Sequence, residues 1–247
     1  MNALPDVGTI DLDCDVIVGA WPRHAEVDLL SSAVLRTLDD HGINRGLACA
    51  GRGAWFDDAA GNDETFALQS MQERLLATAT VDLRDALGAE QEVERMAERG
   101  VRVLRLFGAL QGVPVSAPAY RHVARLAEAH RLTVLSDGDP REVWRPFADR
   151  GLTVVFLDVH AYHVADFVLL AREESRFLGS TRLLNSPDSI ERVVAEVGAG
   201  HLAFGSRTPL HATASSELRF RHARITVEER AFIGGGWYRT LAEEGER

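Results

Sequence analysis

Short apolar segments alternate with amphipathic segments along most of this chain. The apolar segments have the residue pattern of β-strands, and between them apolar residues recur every three or four positions, as on one face of a helix. Residues 152–158 are almost wholly apolar, which is typical of a strand in a parallel sheet that is buried on both faces. We predict strands at residues 10–19, 43–50, 75–81, 101–107, 132–137, 152–158, 177–184 and 202–206.

Helical patterns separate these strands, and residues 51–56 are predicted to form a loop. The predicted helices cover residues 27–38, 62–72, 90–99, 120–130, 140–149, 163–172, 189–197, 227–232 and 237–243. Short strands that alternate with helices in this way favour an α/β fold, a single (β/α)8 TIM barrel. An open doubly wound sheet is disfavoured, because no glycine-rich phosphate loop follows the first strand. At 247 residues the chain has the length of one such barrel, so we predict one domain over residues 1–247.

The amino-acid composition argues against some classes of binding partner. The formal net charge of -10 and the absence of a basic cluster argue against nucleic-acid binding. No apolar run has the length of a membrane span and no secretory leader opens the sequence, so we expect a cytoplasmic protein without a membrane partner. Cys14 and Cys49 lie in predicted strands without the spacing of zinc ligands, and we expect buried free thiols.

Three acidic residues alternate with apolar ones in the first predicted strand. The two-residue period of a strand places Asp11, Asp13 and Asp15 on one face. Buried carboxylates raise one another's pKa and oppose ionisation unless water, a cation or an arginine meets them. The alternative is that Asp13 and Asp15 lie beyond the end of the strand, in solvent.

Further polar residues fall where the other predicted strands end. In a TIM barrel the carboxyl ends of the strands and the loops after them build the functional face. A single Asp at a strand end often caps the next helix, but several that converge on one mouth indicate a site. The candidates at strand ends are Asp13, Asp15, Asp82, Asp137, Asp158, His160, Arg182, Asn185 and Arg207.

Several of these segments resemble a known family, the amidohydrolase-related TIM barrels of the metal-dependent hydrolase superfamily. The resemblance covers nearly the whole chain. Its most specific parts are residues 10–19, 100–114 with Arg105-Leu106-Phe107, 132–138, 202–209 with Phe204-Gly205-Ser206-Arg207, and the closing 228–237.

The resemblance implies a divalent metal, usually zinc, held by His-x-His on the first strand, one His on each of the fifth and sixth strands, and an Asp on the eighth. The corresponding positions in this sequence are Asp13, Asp15, Asp137, Asp158 and Arg207, so none keeps its ligand type. A shift of register would place Ser136 or His160 at two of them. An all-oxygen cage suits Mg, Ca or Mn rather than zinc. We therefore expect no metal cofactor, with Arg207 in the place of the cation and bonded to two of the Asp side chains.

The charges of the residues at this site do not balance, so we expect a further positive group there. The four aspartates and Arg207 sum to -4 + 1 = -3 if all are ionised. The candidates for this group are Arg105, Arg182, bound protons, a hard metal ion and an amine-bearing ligand. Arg105 alternates with Val103 and Phe107 and could face the interior, or it could extend outward between helices.

Two functional hypotheses follow. The first is a non-catalytic binding or partner subunit whose metal site is replaced by an Asp/Arg salt-bridge cluster, with Trp21 and the neighbouring aromatic residues facing a small molecule, a second copy or a related barrel subunit. The alternative is a diverged hydrolase or lyase for a polar or cationic small molecule. In that enzyme Asp137, Asp158 and His160 are the catalytic groups, without metal or with a hard cation. The ligand-binding residues in either case are Asp13, Asp15, Trp21, Arg105, Arg182, Asn185 and Arg207.

Overall fold

The structure of the protein is a computed structural model that describes residues 10–245, with side chains described as far as residue 241. All paired strands run parallel, in two sheets whose strand order follows the chain. The first sheet contains β1 Ile10–Val18, β2 Ile43–Ala50 and β3 Leu75–Ala77. The second contains β4 Ala79–Thr80, β5 Val103–Leu106, β6 Thr133–Ser136, β7 Val154–Phe156, β8 Phe177–Ser180 and β9 Leu202–Ala203.

Hydrogen bonds outside the two sheets connect their ends. Only Thr78 separates β3 from β4, so these two are one interrupted strand, and residues 10–245 contain eight strands, as predicted. At the other end, Cys14 N donates to Phe204 O at 2.9 Å and Ile17 N donates to Thr208 O at 2.8 Å. The first strand thus lies beside the chain that follows the last strand, which is the neighbour relation of a (β/α)8 barrel.

Helices follow the strands and form the outer layer. They are α1 Ser31–Asp40, α2 Gly51–Trp55, α3 Asp58–Met71, α4 Ala86–Glu98, α5 Gly108–Gln111, α6 Pro118–Ala129, α7 Pro140–Val143, α8 Val164–Glu173, α9 Ser189–Val197, α10 Thr213–His222, α11 Val227–Ala231 and α12 Trp237–Gly245. Short 3-10 turns are present at Pro22–His24, Arg145–Phe147, Ala161–His163, Thr181–Leu183 and Ala199–His201, and a π-helical segment at Phe232–Gly236. No helix in the described part of the chain is both long enough and apolar enough to cross a membrane.

The apolar side chains of the described residues form two layers and a third, smaller cluster around Phe107. The inner one, between the strands, contains Leu12, Cys14, Leu47 and Val155 and is covered at the amino ends of the strands by Trp237. The outer one lies between strands and helices and is the larger. The strands are therefore buried on both faces along most of their length, which explains the near-continuous apolar run seen at residues 152–158. Both cysteines are buried and free, as predicted.

Three local predictions were wrong. The strand predicted at 177–184 ends at Ser180, because its next three residues form a 3-10 turn that Ser180 Oγ caps. The segment predicted as a loop at 51–56 is mainly α2. Helix α10 was not predicted, because its sequence lacks the apolar residues at three- and four-residue spacing that mark a buried helix face.

Candidate functional site

A β-bulge in the first strand decides where its acidic side chains lie. The pairing of β1 with β2 shifts register between Asp13 and Val16. Cys14 and Asp15 lie within the bulge, and together they face the single residue Leu47 of β2. Cys14 packs in the inner core, and Asp15 lies on the same side, since a Cβ placed on Gly205 would meet both Cys14 Sγ at 2.9 Å and Asp15 Cβ at 3.4 Å. An extra residue in one strand interrupts the strict alternation of side chains.

The expectation that three aspartates share one face is therefore wrong. Asp11 lies at the amino end of β1, where its Oδ2 pairs with Arg45 Nη2 at 2.8 Å and Arg239 Nη1 at 3.2 Å. Asp13 and Asp15 are both fully buried but have different partners. The alternative of solvent-exposed carboxylates at a strand end is also wrong for these two residues.

Asp15 lies among three arginines. Its Oδ1 is 2.7 Å from Arg105 Nη1. Its Oδ2 is 3.0 Å from Arg207 Nε and 3.5 Å from Arg182 Nε. Arg105 is 1% exposed and Arg182 7% exposed, so this contact is almost entirely shielded from water.

Asp137 and Asp158 form the rim of the same network. Asp137 Oδ1 accepts from Arg105 Nη2 and from Arg207 Nη2, each at 3.1 Å. Asp158 Oδ1 accepts from Arg182 Nη2 and lies 3.6 Å from Arg207 Nη2. Asp158 Oδ2 accepts from the backbone N–H of Gly138 at 2.7 Å, which ties the end of β7 to the loop after β6.

The pairing removes most of the charge deficit expected from the sequence and leaves only Asp13 without a cation among the described residues. Asp15, Asp137 and Asp158 meet Arg105, Arg182 and Arg207, so three negative groups face three positive ones. We call these six residues the mouth cluster. Both arginines that the sequence offered as further cations, Arg105 and Arg182, belong to it, and Arg207 bonds to two Asp side chains as expected.

The electrostatics of the mouth cluster favour its ionised form at Asp15. Burial opposes ionisation there, but the charges of Arg105, Arg207 and Arg182 outweigh it and lower the pKa of Asp15 well below its usual range. The three carboxylates likewise outweigh the burial of Arg207 and raise its pKa. Burial and the neighbouring charges of Asp158 and Asp15 raise the pKa of Asp137, against the effect of Arg105 and Arg207.

Asp13 has a neutral environment instead. Its Oδ1 accepts from Asp15 N at 2.9 Å and from Ser206 N at 3.0 Å, and its Oδ2 is bonded to Ser206 Oγ. Ser206 Oγ in turn lies 2.9 Å from Thr208 Oγ1, which bonds to Thr213 Oγ1. Burial raises the pKa of Asp13 to about 7, although these hydrogen bonds lower it. No described cation forms an ion pair with Asp13.

The remaining predicted site residues lie outside the mouth cluster. His160 Nδ1 accepts from Tyr162 N at 3.4 Å, and the two rings stack with centroids 4.6 Å apart. His160 thus caps the 3-10 turn at Ala161–His163. Asn185 is exposed and forms no hydrogen bond with another described residue. Asp82 accepts from Arg84 N at 2.9 Å in a turn before α4.

Trp21 reaches the mouth cluster only through other aromatic rings. Its ring packs edge-on against Trp55 at 5.5 Å and lies 6.0 Å from the ring of Phe107. The Phe107 ring lies 4.5 Å from Cζ of Arg105. Trp21 also lines a largely apolar cavity of about 630 Å³ with Phe56 and the loop between β1 and α1. An aromatic layer therefore separates this cavity from the charged groups.

Ser206, Thr208 and Thr213 were missed by sequence reasoning. Their hydroxyls have a role only because the chain after β9 lies beside β1, which no local pattern shows. Phe107 was noted only as part of a motif, although its ring lies against the most buried guanidinium. The one signal in the sequence for a role of Ser206 was its position directly before Arg207, in the motif that carries the family resemblance.

The residues at the mouth do not fit a metal ion. Three of the four carboxylates at the implied ligand positions, those of Asp15, Asp137 and Asp158, are already bonded to guanidinium groups. The fourth, Asp13, is bonded to Ser206, and the position implied for the last ligand is itself a cation, Arg207. Divalent cations need the oxygen lone pairs that these arginines occupy, and a fixed positive charge repels them. Within the side chains that the structure describes, no three His, Cys, Asp or Glu residues are grouped as a metal site requires.

Several solved structures have the same fold as this chain. A 2,6-dihydroxybenzoate decarboxylase complexed with 2,6-dihydroxybenzoate matches with a TM-score of 0.75 at 15% identity, over 96% of this chain and 99% of that one. A dihydroxybenzoic acid decarboxylase from Polaromonas, with bound manganese and the inhibitor 2-nitroresorcinol, matches with a TM-score of 0.74 at 13% identity, over 96% and 98%. A Staphylococcus aureus protein assigned to the amidohydrolases matches with a TM-score of 0.70 at 12% identity, over 91% and 95%.

These matches confirm the predicted fold class, an α/β TIM barrel like that of the amidohydrolase-like structures. At such low identity they establish the fold alone. No family model matches the sequence, and no curated protein matches it. The chain thus has the architecture of amidohydrolase-like decarboxylases and hydrolases, with Asp and Arg side chains where the resemblance implies metal ligands.

Proposed function

We propose that this protein is a metal-independent, non-hydrolytic barrel that binds a small polar molecule at the mouth cluster, as a binding or partner subunit. The observation that carries the proposal is the convergence of Arg105, Arg182 and Arg207 on the buried carboxylate of Asp15, at 2.7, 3.5 and 3.0 Å. A guanidinium keeps its charge at every physiological pH, so these groups supply permanently the positive charge that a metal ion would supply.

The accessible edge of the mouth cluster supports a polar ligand. Asp137 and Arg207 have side chains that are each 16% exposed, and that of Asp158 is 23% exposed, whereas Asp15 and Arg105 are covered. A molecule that approaches the mouth meets two carboxylates and one guanidinium. An amine with a nearby hydrogen-bond acceptor complements such an edge, because charge-assisted hydrogen bonds form in both directions.

A role beside another barrel subunit is supported by the aromatic surface next to the mouth. Phe56 is 68% exposed and Leu30 is 67% exposed, and both line the same cavity as Trp21. Exposed apolar groups in one patch are typical of protein contact surfaces. We propose a second copy of this chain or a related barrel as the partner, to be sought by light scattering and by co-purification.

Metal content tests the proposal directly. The purified protein is incubated with excess Mn²⁺ or Zn²⁺, desalted and analysed by mass spectrometry of the elements. We expect substoichiometric metal and an unchanged unfolding temperature, because a ligand that binds only the folded state would raise it. One equivalent of either metal, with the Arg207 side chain turned away from Asp15 in the metal-loaded crystal, would refute the proposal.

A second candidate function is favoured by the same exposed edge. Asp137, whose pKa is raised, and Asp158 both reach solvent, as acid and base groups of a diverged hydrolase or lyase would. The discriminating experiment screens polar and cationic small molecules for turnover. Activity that is lost in Asp158→Asn but kept in Cys14→Ser would support the enzyme. A ligand that wild type binds without turnover, and that Asp158→Asn no longer binds, would support the binding protein.

A further inference from the structure

A cavity lies at the end of the barrel opposite the mouth. Its volume is about 410 Å³, within the range of roughly 300–1,000 Å³ that is common for small-molecule sites. It is formed by the segments that lead into β6, β7 and β8 and is covered by Leu241 of α12. In a TIM barrel this amino-terminal face contributes to stability rather than to catalysis, so a binding site here is separate from the mouth.

Positive charge predominates among the residues that line this cavity. They include Arg131, Arg150 and Arg176 but one acidic residue, Glu128, in a chain whose formal net charge is -10. Glu128 Oε2 already pairs with Arg150 Nη1 at 3.1 Å. The Arg131 guanidinium forms no ion pair or hydrogen bond with another described residue, and its side chain is exposed. The cavity thus offers a cation to an incoming anion.

Hydroxyl groups line the wall beside these arginines. Thr133 and Thr153 are buried at the amino ends of β6 and β7. Arg176 Nη1 donates to Thr153 Oγ1 at 3.4 Å, which holds the guanidinium against the wall. Guanidinium and hydroxyl donors around one space match the acceptor oxygens of a carboxylate.

A second cavity of about 290 Å³ adjoins the first, and polar and apolar atoms contribute about equally to its lining. The two share Thr153, Arg176 and Leu241, and the second is lined by Phe232 and Trp237. Trp237 is 2% exposed, and its indole N–H has no acceptor among the described residues. A buried donor without an acceptor costs free energy, so an oxygen of a ligand or a water molecule in this space would satisfy it.

We propose that these joined cavities form a binding site for an amphiphilic organic carboxylate. The carboxylate head lies at Arg131 and the threonine hydroxyls, and the apolar body extends towards Phe232 and Trp237. Arg131 lines the first cavity and not the second, whereas the two aromatic rings line the second and not the first, so the head and the body of such a ligand have separate places. This site is independent of the proposed function of the mouth.

Isothermal titration calorimetry of the full-length protein with octanoate tests the proposal. We expect a dissociation constant below about 1 mM, weakened about tenfold by Arg131→Glu, since the variant replaces an attractive charge with a repulsive one. Arg121→Glu is the matched control, because Arg121 is exposed on α6 and does not line the cavity, and its binding should stay within about twofold of wild type. A planar acid, 2-naphthoate, tests whether the apolar body must be a flexible chain.

Two further ligands test the contributions of the charged head and of the apolar tail separately. Acetate lacks the apolar body and octyltrimethylammonium reverses the charge, so both should bind more weakly than octanoate by about tenfold or more. A fluorescence response to octanoate that disappears in Trp237→Phe would show that the tail lies beside Trp237. Equal affinity of wild type and Arg131→Glu, equal affinity for acetate, or no octanoate binding at all would refute the proposal. Octanoate binding that persists in Arg207→Met would show that the mouth is not its site.

Discussion

Asp13 and Asp15 belong to one strand, lie two residues apart and are both fully buried, yet their surroundings are opposite. Three guanidinium groups lower the pKa of Asp15, whereas neutral donors surround Asp13 and its pKa rises to about 7. The β-bulge between Asp13 and Val16 separates them. The comparison teaches that the partner of a buried carboxylate, rather than its burial, determines whether the carboxylate stabilises the fold.

The same substitution, Asp to Asn, is made at the two positions. The largest effect on the free energy of unfolding is expected at Asp15. Asp15→Asn removes the negative charge that three buried arginines share, and we expect a loss of about 3–5 kcal/mol of unfolding free energy at pH 7. Urea denaturation followed by circular dichroism measures it. Asp40→Asn, on the exposed surface of α1, is the control and should change stability by less than about 0.5 kcal/mol. A loss below about 1 kcal/mol in Asp15→Asn would contradict the role assigned to the arginines.

At Asp13 the substitution is expected to change the free energy of unfolding in the opposite direction. Its pKa rises from 3.8 to about 7 on folding, so the folded protein holds this proton more tightly than the unfolded chain does. The resulting stabilisation is complete below pH 4 and is lost as pH rises through 7. Asparagine reproduces the protonated form, because its oxygen accepts from Asp15 N and Ser206 N while its amide donates to Ser206 Oγ.

The measurement for Asp13 is the unfolding free energy of wild type and Asp13→Asn from pH 4.5 to 8.5. We expect the variant to gain about 2–4 kcal/mol relative to wild type over that range. Two parallel pH profiles would show that Asp13 keeps its charge in the folded state. A variant that is much less stable at every pH would show that the serine hydroxyl requires a carboxylate.

Arg207→Met should have a smaller effect than Asp15→Asn. Arg105 and Arg182 remain beside Asp15 in this variant, and the Arg207 side chain is 16% exposed, so water relieves part of the loss. We expect about 1–3 kcal/mol of destabilisation by urea denaturation. A loss as large as that of Asp15→Asn would mean that the three arginines act as one unit, and the double variant would then reveal the coupling between Asp15 and Arg207.

The smallest effect is expected at His160. Its ring caps a 3-10 turn and stacks on an exposed tyrosine, outside the mouth cluster. His160→Ala should cost about 0.5–1 kcal/mol by thermal denaturation and leave ligand binding at the mouth unchanged. If a ligand is found and its affinity falls tenfold in this variant, His160 belongs to the site after all.

The sequence allowed prediction of the barrel and of the residues at its mouth for a common physical reason. Strand ends in a barrel converge, so Asp137, Asp158 and Arg207 could be placed together from their positions alone. The bulge in β1 could not be predicted, because it depends on how β1 pairs with β2 rather than on its own residues. For the same reason the partner of Asp13 could not be predicted, since Ser206 lies at the far end of the chain.

The shared arginine contacts of Asp15 also limit how this mouth can change through single substitutions. Replacing any one of the three guanidinium groups leaves two in place and still gives no opening for a metal ion. Replacing Asp15 first leaves all three cations without their common partner. A mutational path from this barrel to a metalloenzyme therefore passes through less stable intermediates, and selection for activity would have to act on several positions at once.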